Sequence, residues 1–295
     1  MTLIYPDPDS YLAAPRKAVA LIGMSGVGKT STAQLLRASG RWFHYSVDYR
    51  IGTRYMGERI VDNFKREAMK QPLLRELLMS DSIYIASNIT FENLAPLSSY
   101  LGKPGDPARG GLPFETYVAR QRQHREAEVA ALLDAPEFIG KAREIYGYDH
   151  FLGDTGGSIC EVVDPHDPSD PVLTALASTM LLVRIRETDA MADELVRRFV
   201  ARPKPMYYEE GFLRSIWAEC RATTGEAEDA VDPDAFARWG FARLIERRRP
   251  LYAAIGSRWG VTVEADEIAA LASPADFDAL MATAIARRAA DPAPT

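Results

Sequence analysis

The chain has 295 residues, enough for one large domain or two small ones around a substantial core. Hydrophobic residues make up 47% and charged residues 26%, and 35 basic against 41 acidic side chains leave a formal charge of −6. That balance argues against a general attraction to nucleic acid or to an anionic membrane surface, and two distant cysteines, Cys160 and Cys220, argue against a disulfide scaffold or a cysteine metal site.

The first residues, Met1 to Pro15, carry acids and prolines where a secretory leader needs basic residues and an apolar run. The most apolar stretch, Val172 to Val183, is too short to cross a bilayer, so the expectation is a cytoplasmic protein with no membrane partner. Lys17 to Ile22 reads as a short buried strand that ends at Gly23. The residues after Thr30 read as a helix running to Gly40, and Arg41 to Asp48 as a second strand rich in aromatic and β-branched side chains. His150–Asp154 and Thr179–Ile185 read as two more buried strands, and Val261–Asp266 as a late one. Helical periodicity lies between them. The alternation predicts an α/β fold, a three-layer α/β/α core with a parallel sheet and helices on both faces.

Residues 58–147 break that rhythm with mostly helical periodicity, a Pro/Gly-rich loop at Gly102–Pro113 and a candidate short strand at Ser82–Asn88. A second helical insert covers residues 211–249, where Asp232-Pro233 offers a helix cap followed by proline at the first helical position. The division expected is therefore a core of residues 15–57 and 148–266 carrying the 211–249 insert. A helical cap or substrate insertion spans residues 58–147, and a C-terminal helix and tail span 267–295. That last helix should begin at Ser273-Pro274, with Asp291–Thr295 frayed.

The chemistry concentrates at Gly23-Met24-Ser25-Gly26-Val27-Gly28-Lys29-Thr30, which satisfies G-x-x-x-x-G-K-[ST] between a strand and a helix. Residues without bulk let backbone N–H groups wrap an anionic phosphate, and the helix start adds partial positive charge. Gly23, Ser25, Gly26, Val27, Gly28, Lys29, Thr30 and Ser31 are the candidate nucleotide cradle. Lys29 should reach the outer phosphates, and the Thr30 hydroxyl should serve Mg²⁺. Asp154, after an apolar run, has the position of a metal-binding acid at the end of a neighbouring strand. Asp48 ends another strand and suits a substrate hydroxyl, a general base or the metal.

Taken in order, the glycine loop, Asp48, Asp154-Thr155-Gly156-Gly157, the arginine-proline stretch and Arg-Arg-Arg-Pro-Leu-Tyr resemble the shikimate kinase branch of small-molecule P-loop kinases. Val47 to Gly57 is similar to the segment with which that family grips a hydroxylated substrate, which implies roles for Asp48 and Arg54. Asp154 to Ser158 is similar to its glycine-rich acidic turn, which implies that Gly156 and Gly157 approach the substrate. The stretch Arg198-Phe199-Val200-Ala201-Arg202-Pro203-Lys204-Pro205-Met206 is similar to its lid, which implies Arg202 over the phosphates, aided by Arg197 or Arg198. The Arg-Arg-Arg-Pro-Leu-Tyr helix resembles the one whose arginine binds the substrate carboxylate, which maps to Arg248 or Arg249. Two positions depart from the family pattern: Ser46 stands where an acid helps hold Mg²⁺, and Ser158 where a third glycine follows. Asp154 can take over the metal duty.

The resemblance implies an ATP- and Mg²⁺-dependent kinase acting on a hydroxyl of a small, anionic acceptor. The chain also resembles bacterial P-loop proteins described only as ATPases. The alternative is thus an ATPase or nucleotide-gated protein whose helical inserts dock a protein partner. Weaker constellations have plainer readings. Arg122, His124 and Arg125 share a helix with Glu126 and Glu128 and suit a salt-bridged surface; the acids and His166 of Val162–Pro171 suit tight turns; Glu161 suits a helix surface; Lys204–Tyr208 suits equally the stacking of an adenine or substrate ring and ordinary aromatic packing.

Overall fold

The computed structural model describes residues 3–290; the tail Asp291–Thr295 lies outside the described residues. In chain order the elements are α1 (Pro8–Ala13), β1 (Ala18–Ile22), α2 (Lys29–Ala38), β2 (Trp42–Ser46) and α3 (Val47–Arg50), which runs into a π-helical turn at Ile51–Tyr55. Then come α4 (Gly57–Ala68), α5 (Pro72–Met79), α6 (Ala95–Leu101), α7 (Phe114–Glu144), β3 (His150–Asp154), α8 (Pro171–Ala177), β4 (Leu181–Arg186) and α9 (Asp189–Ala201). The chain closes with α10 (Glu210–Thr224), α11 (Pro233–Trp259), β5 (Val261–Glu264), α12 (Ala265–Ala269) and α13 (Pro274–Ala290). Among the described residues no helix is long and apolar enough to cross a membrane.

The chain forms two compact units, one of residues 1–47, 132–202 and 240–295, the other of residues 48–131 and 203–239. The first holds a parallel five-stranded sheet in the order β2-β3-β1-β4-β5. This is the expected α/β core with a parallel sheet. The interior strands β1 and β3 are buried at every position, whereas the edge strands β2 and β5 mix buried and half-buried residues. That contrast explains why the middle strands read as unbroken apolar runs. The chain leaves β1 toward β2 on one side of the sheet and leaves β4 toward β5 on the other. The carboxyl ends of β1 and β4, which are neighbours, therefore border the kind of crevice where open parallel sheets take ligands.

Helix starts follow their capping chemistry. Asp170 accepts from the amides of Val172 and Leu173 ahead of Pro171, and Thr188 accepts from Met191 N at 3.2 Å. The acids of Val162–Pro171 are spent on such turns, with Asp164 N donating to Asp170 Oδ2. At the far end of the first unit, Lys17 pairs with Asp278 on α13 at 2.9 Å.

The second unit is helical. Tyr117 donates to Met206 O, Gln121 accepts from Tyr208 N, and the Tyr207 ring stacks on His124 with centroids 4.8 Å apart. Aromatic packing thus accounts for Lys204–Tyr208. Arg122 forms a two-bonded pair with Glu210, but His124 and Glu128 of the same helix are buried, so the expected salt-bridged surface holds only in part. Asp232 caps α11 through the amides of Asp234 and Ala235, with Pro233 following.

Two further expectations need correction. Ser82–Asn88 is not a strand: it joins no ladder, because a short apolar stretch does not supply a pairing neighbour. Glu161 is not on a helix surface; its side chain is fully buried in a 3₁₀ turn, between two arginines.

Candidate functional site

The glycine loop leaves β1 and enters α2. Gly26 and Gly28 have φ of +87° and +100°, backbone that other residues adopt at a cost. A Cβ on Gly28 would also stand 2.8 Å from Ile268 of α12, and one on Gly23 2.9 Å from the Ile185 carbonyl. The loop is thus held from below while Ser25, Gly26, Thr30 and Ser31 are exposed above; Val27 is buried. Lys29 is buried, and its ammonium donates to the carbonyls of Gly23 at 2.6 Å and Met24 at 3.0 Å. The residues fit a polyphosphate: an open left-handed backbone, the amides of a ten-residue helix start and one lysine within its own loop.

Asp154 ends β3 in register with Leu21 of β1 and with Ser46 of β2, so it stands between the two strand ends. It is buried, and its Oδ1 accepts from Gly156 N at 3.1 Å, holding the turn in which Gly156 has φ of +72°. Thr155 donates from both its amide and its hydroxyl to the Leu21 carbonyl. Burial lowers the His44 pKa, and the charge of Asp154 opposes that shift. Among the described residues no group of three or more His, Cys, Asp or Glu is arranged for a metal. A Thr30 hydroxyl and a single carboxylate still suit Mg²⁺, which keeps several of its waters.

The arginines of α11 fall on different sides of the loop. Arg248 is buried, donates to Gly157 O at 2.7 Å and lies 3.4 Å from Glu161. Gly157 in turn packs on the loop: a Cβ there would come 2.9 Å from Ser25 Oγ. Arg249 instead binds Glu187 at 3.0 Å and Asp189 at 2.5 Å, at the end of β4. Those bonds, Asp189 first and then Glu187, raise its pKa. The resemblance assigns Arg249 to a substrate carboxylate; here two acids of the chain already occupy it.

A cavity of about 210 Å³ lies between Met24–Val27 and the start of α9, with Glu187, Met191, Leu195 and Arg198 among its lining. Arg198 Nη2 comes 3.7 Å from the place of a Cβ on Gly26. Arg202, the residue picked from the sequence, is the exposed C-cap of the same helix. Asp48 and Arg54 belong to the second unit: Asp48 is half-buried in the first turn of α3, and Arg54 is exposed in the π-helical turn. Sequence reasoning overlooked Glu187. The rule that selected Asp154, an acid directly after a buried strand, selects it equally well.

No family model matches the chain, and no curated protein matches it. Among solved structures it is similar to a shikimate kinase from Bacteroides thetaiotaomicron, at 15% identity and a TM-score of 0.36, over 92% of this chain and 94% of that one. At that distance the likeness carries no residue assignment.

Proposed function

We propose that the protein is a Mg²⁺-dependent phosphotransferase that moves the γ-phosphoryl group of ATP to a hydroxyl of a small molecule. The observation that carries this reading is the glycine loop, with left-handed Gly26 and Gly28 opening onto the start of α2 and Lys29 at its base. Loop amides and Lys29 hold the polyphosphate; Thr30 and Asp154 hold Mg²⁺, which offsets charge on the phosphates. Arg202, with Arg198 on the helix it caps, adds positive charge where negative charge builds during transfer. On the family resemblance the acceptor is hydroxylated and anionic, with Asp48 orienting its hydroxyl and Arg54 and the Gly156–Gly157 turn among its candidate contacts.

Titration calorimetry with ATP, with and without Mg²⁺, tests the first half, and Mg²⁺-dependent uptake is expected. ATP consumption measured across hydroxy acids, sugars and nucleosides tests the second. Absence of triphosphate binding by folded protein overturns the proposal. Turnover that no small molecule raises overturns the kinase assignment.

A further inference from the structure

Helix α5 and the residues after it, within the second unit, present an uncovered apolar face. No residue of α5 is buried, and Leu73 and Met79 are 68% and 74% exposed. From residue 82 onward exposure alternates: Ser82, Tyr84, Ala86 and Asn88 are exposed, Ile83, Ile85 and Ser87 half-buried, and Ile89 buried. Tyr84 is 87% exposed. That is the period of a strand lying with one face on its own unit. Its ends are anchored: the Ser82 amide donates to the Leu77 carbonyl at 2.9 Å, and a Cβ on Gly52 would stand 3.0 Å from Ile89. Among the described residues, the amides of residues 84–88 donate to no protein group.

Exposed strand edges are normally blunted by a charge or a proline. Residues 82–90 contain neither, in a chain that is 26% charged. Helix α5 carries one cation and one anion, Arg75 and Glu76, so the face is neutral and does not repel a copy of itself. A strongly acidic or basic partner finds no excess of opposite charge there. The stretch is also self-complementary. In an antiparallel pair centred on Ile85, Tyr84 meets Ala86 of the second copy, a large side chain beside a small one, and Ser82 meets Asn88, two polar side chains able to hydrogen-bond. With α5 the face comprises roughly twenty residues, the number that a standard interface takes from each side.

We infer that residues 82–88 pair with the same residues of a second copy, antiparallel about a two-fold axis at Ile85, and that α5 widens the contact. The second copy supplies acceptors along one edge for amides that have none, and covers Tyr84. An isologous contact of this kind closes on itself, so the product is a dimer.

Sedimentation of the full chain tests this. The parent should be a dimer at about 100 µM, where even a micromolar contact is filled. Tyr84→Lys should weaken the dimer at least about tenfold, as loss of an aromatic anchor does, with unchanged melting of the monomer because so little of Tyr84 touches its own chain. Ile145→Lys, an equally charged change at an exposed residue of the first unit, should leave the dimer intact. Amide exchange at residues 84–88 should slow at least about tenfold on dimer formation. A monomeric parent overturns the inference, and neutral lipid vesicles added to the same run then show whether lipid takes the face instead. A dimer that survives Tyr84→Lys, one that Ile145→Lys dissociates equally, or one whose amides at 84–88 stay unprotected also overturns it.

Discussion

The two units spend their charges differently. In the first, Glu161 and Glu187 are almost completely buried, and each holds an arginine of α11 against a loop or strand end. In the second, Glu210 pairs with Arg122 and Arg214 at the surface, and Arg214 pairs with Glu115. A buried pair is seldom a net source of stability, because desolvation offsets the attraction, yet breaking one is costly. A surface pair is screened and weak. The first arrangement fixes geometry around a loop; the second keeps a helical surface in water.

The largest effect expected is on chemistry. Lys29→Ala should lower ATP turnover on the order of 10²–10³-fold, as removal of a preorganised charge contact does; turnover within about twofold of the parent would exclude the loop as the reacting site. Next, Glu161→Ala should destabilise the first unit by about 3–5 kcal/mol by leaving buried Arg248 without its carboxylate. Urea denaturation measures this, and an unchanged midpoint would mean that the buried pair is not intact in solution.

Gly28→Ala comes third, about 1–2 kcal/mol for a left-handed backbone with a Cβ, plus the push on Ile268. It should weaken nucleotide affinity as well, so a variant with unchanged melting and unchanged affinity would refute the loop geometry. The smallest effect belongs to Glu210, whose pKa is lowered from 4.5 to about 2, chiefly by its hydrogen bond to Arg122. A depressed carboxylate stabilises the fold above its unfolded pKa, and that contribution fades as pH falls from 4.5 through 2. Glu210→Gln should flatten a small part of acid unfolding in that window, less so in high salt. An effect as large as that of Glu161→Ala would erase the contrast between the units.

Much of the first unit was legible. Buried strands announce themselves as apolar runs, and the glycine loop announces its backbone through residues that need φ above zero. Ser82–Asn88 misled because a short stretch of sequence does not show whether a pairing partner lies beside it. Glu161 misled because the local sequence of a short turn does not reveal which side of it faces Arg247 and Arg248.

Sequence by itself determined the order of strands and helices, the glycine loop between β1 and α2 and the acid at the end of β3, since each depends on neighbours a few residues away. Tertiary structure alone decided which arginine meets which acid. Arg248 and Arg249 are adjacent in the chain, but on a helix successive side chains point about 100° apart. One therefore reaches Gly157 and Glu161 while the other reaches Glu187 and Asp189.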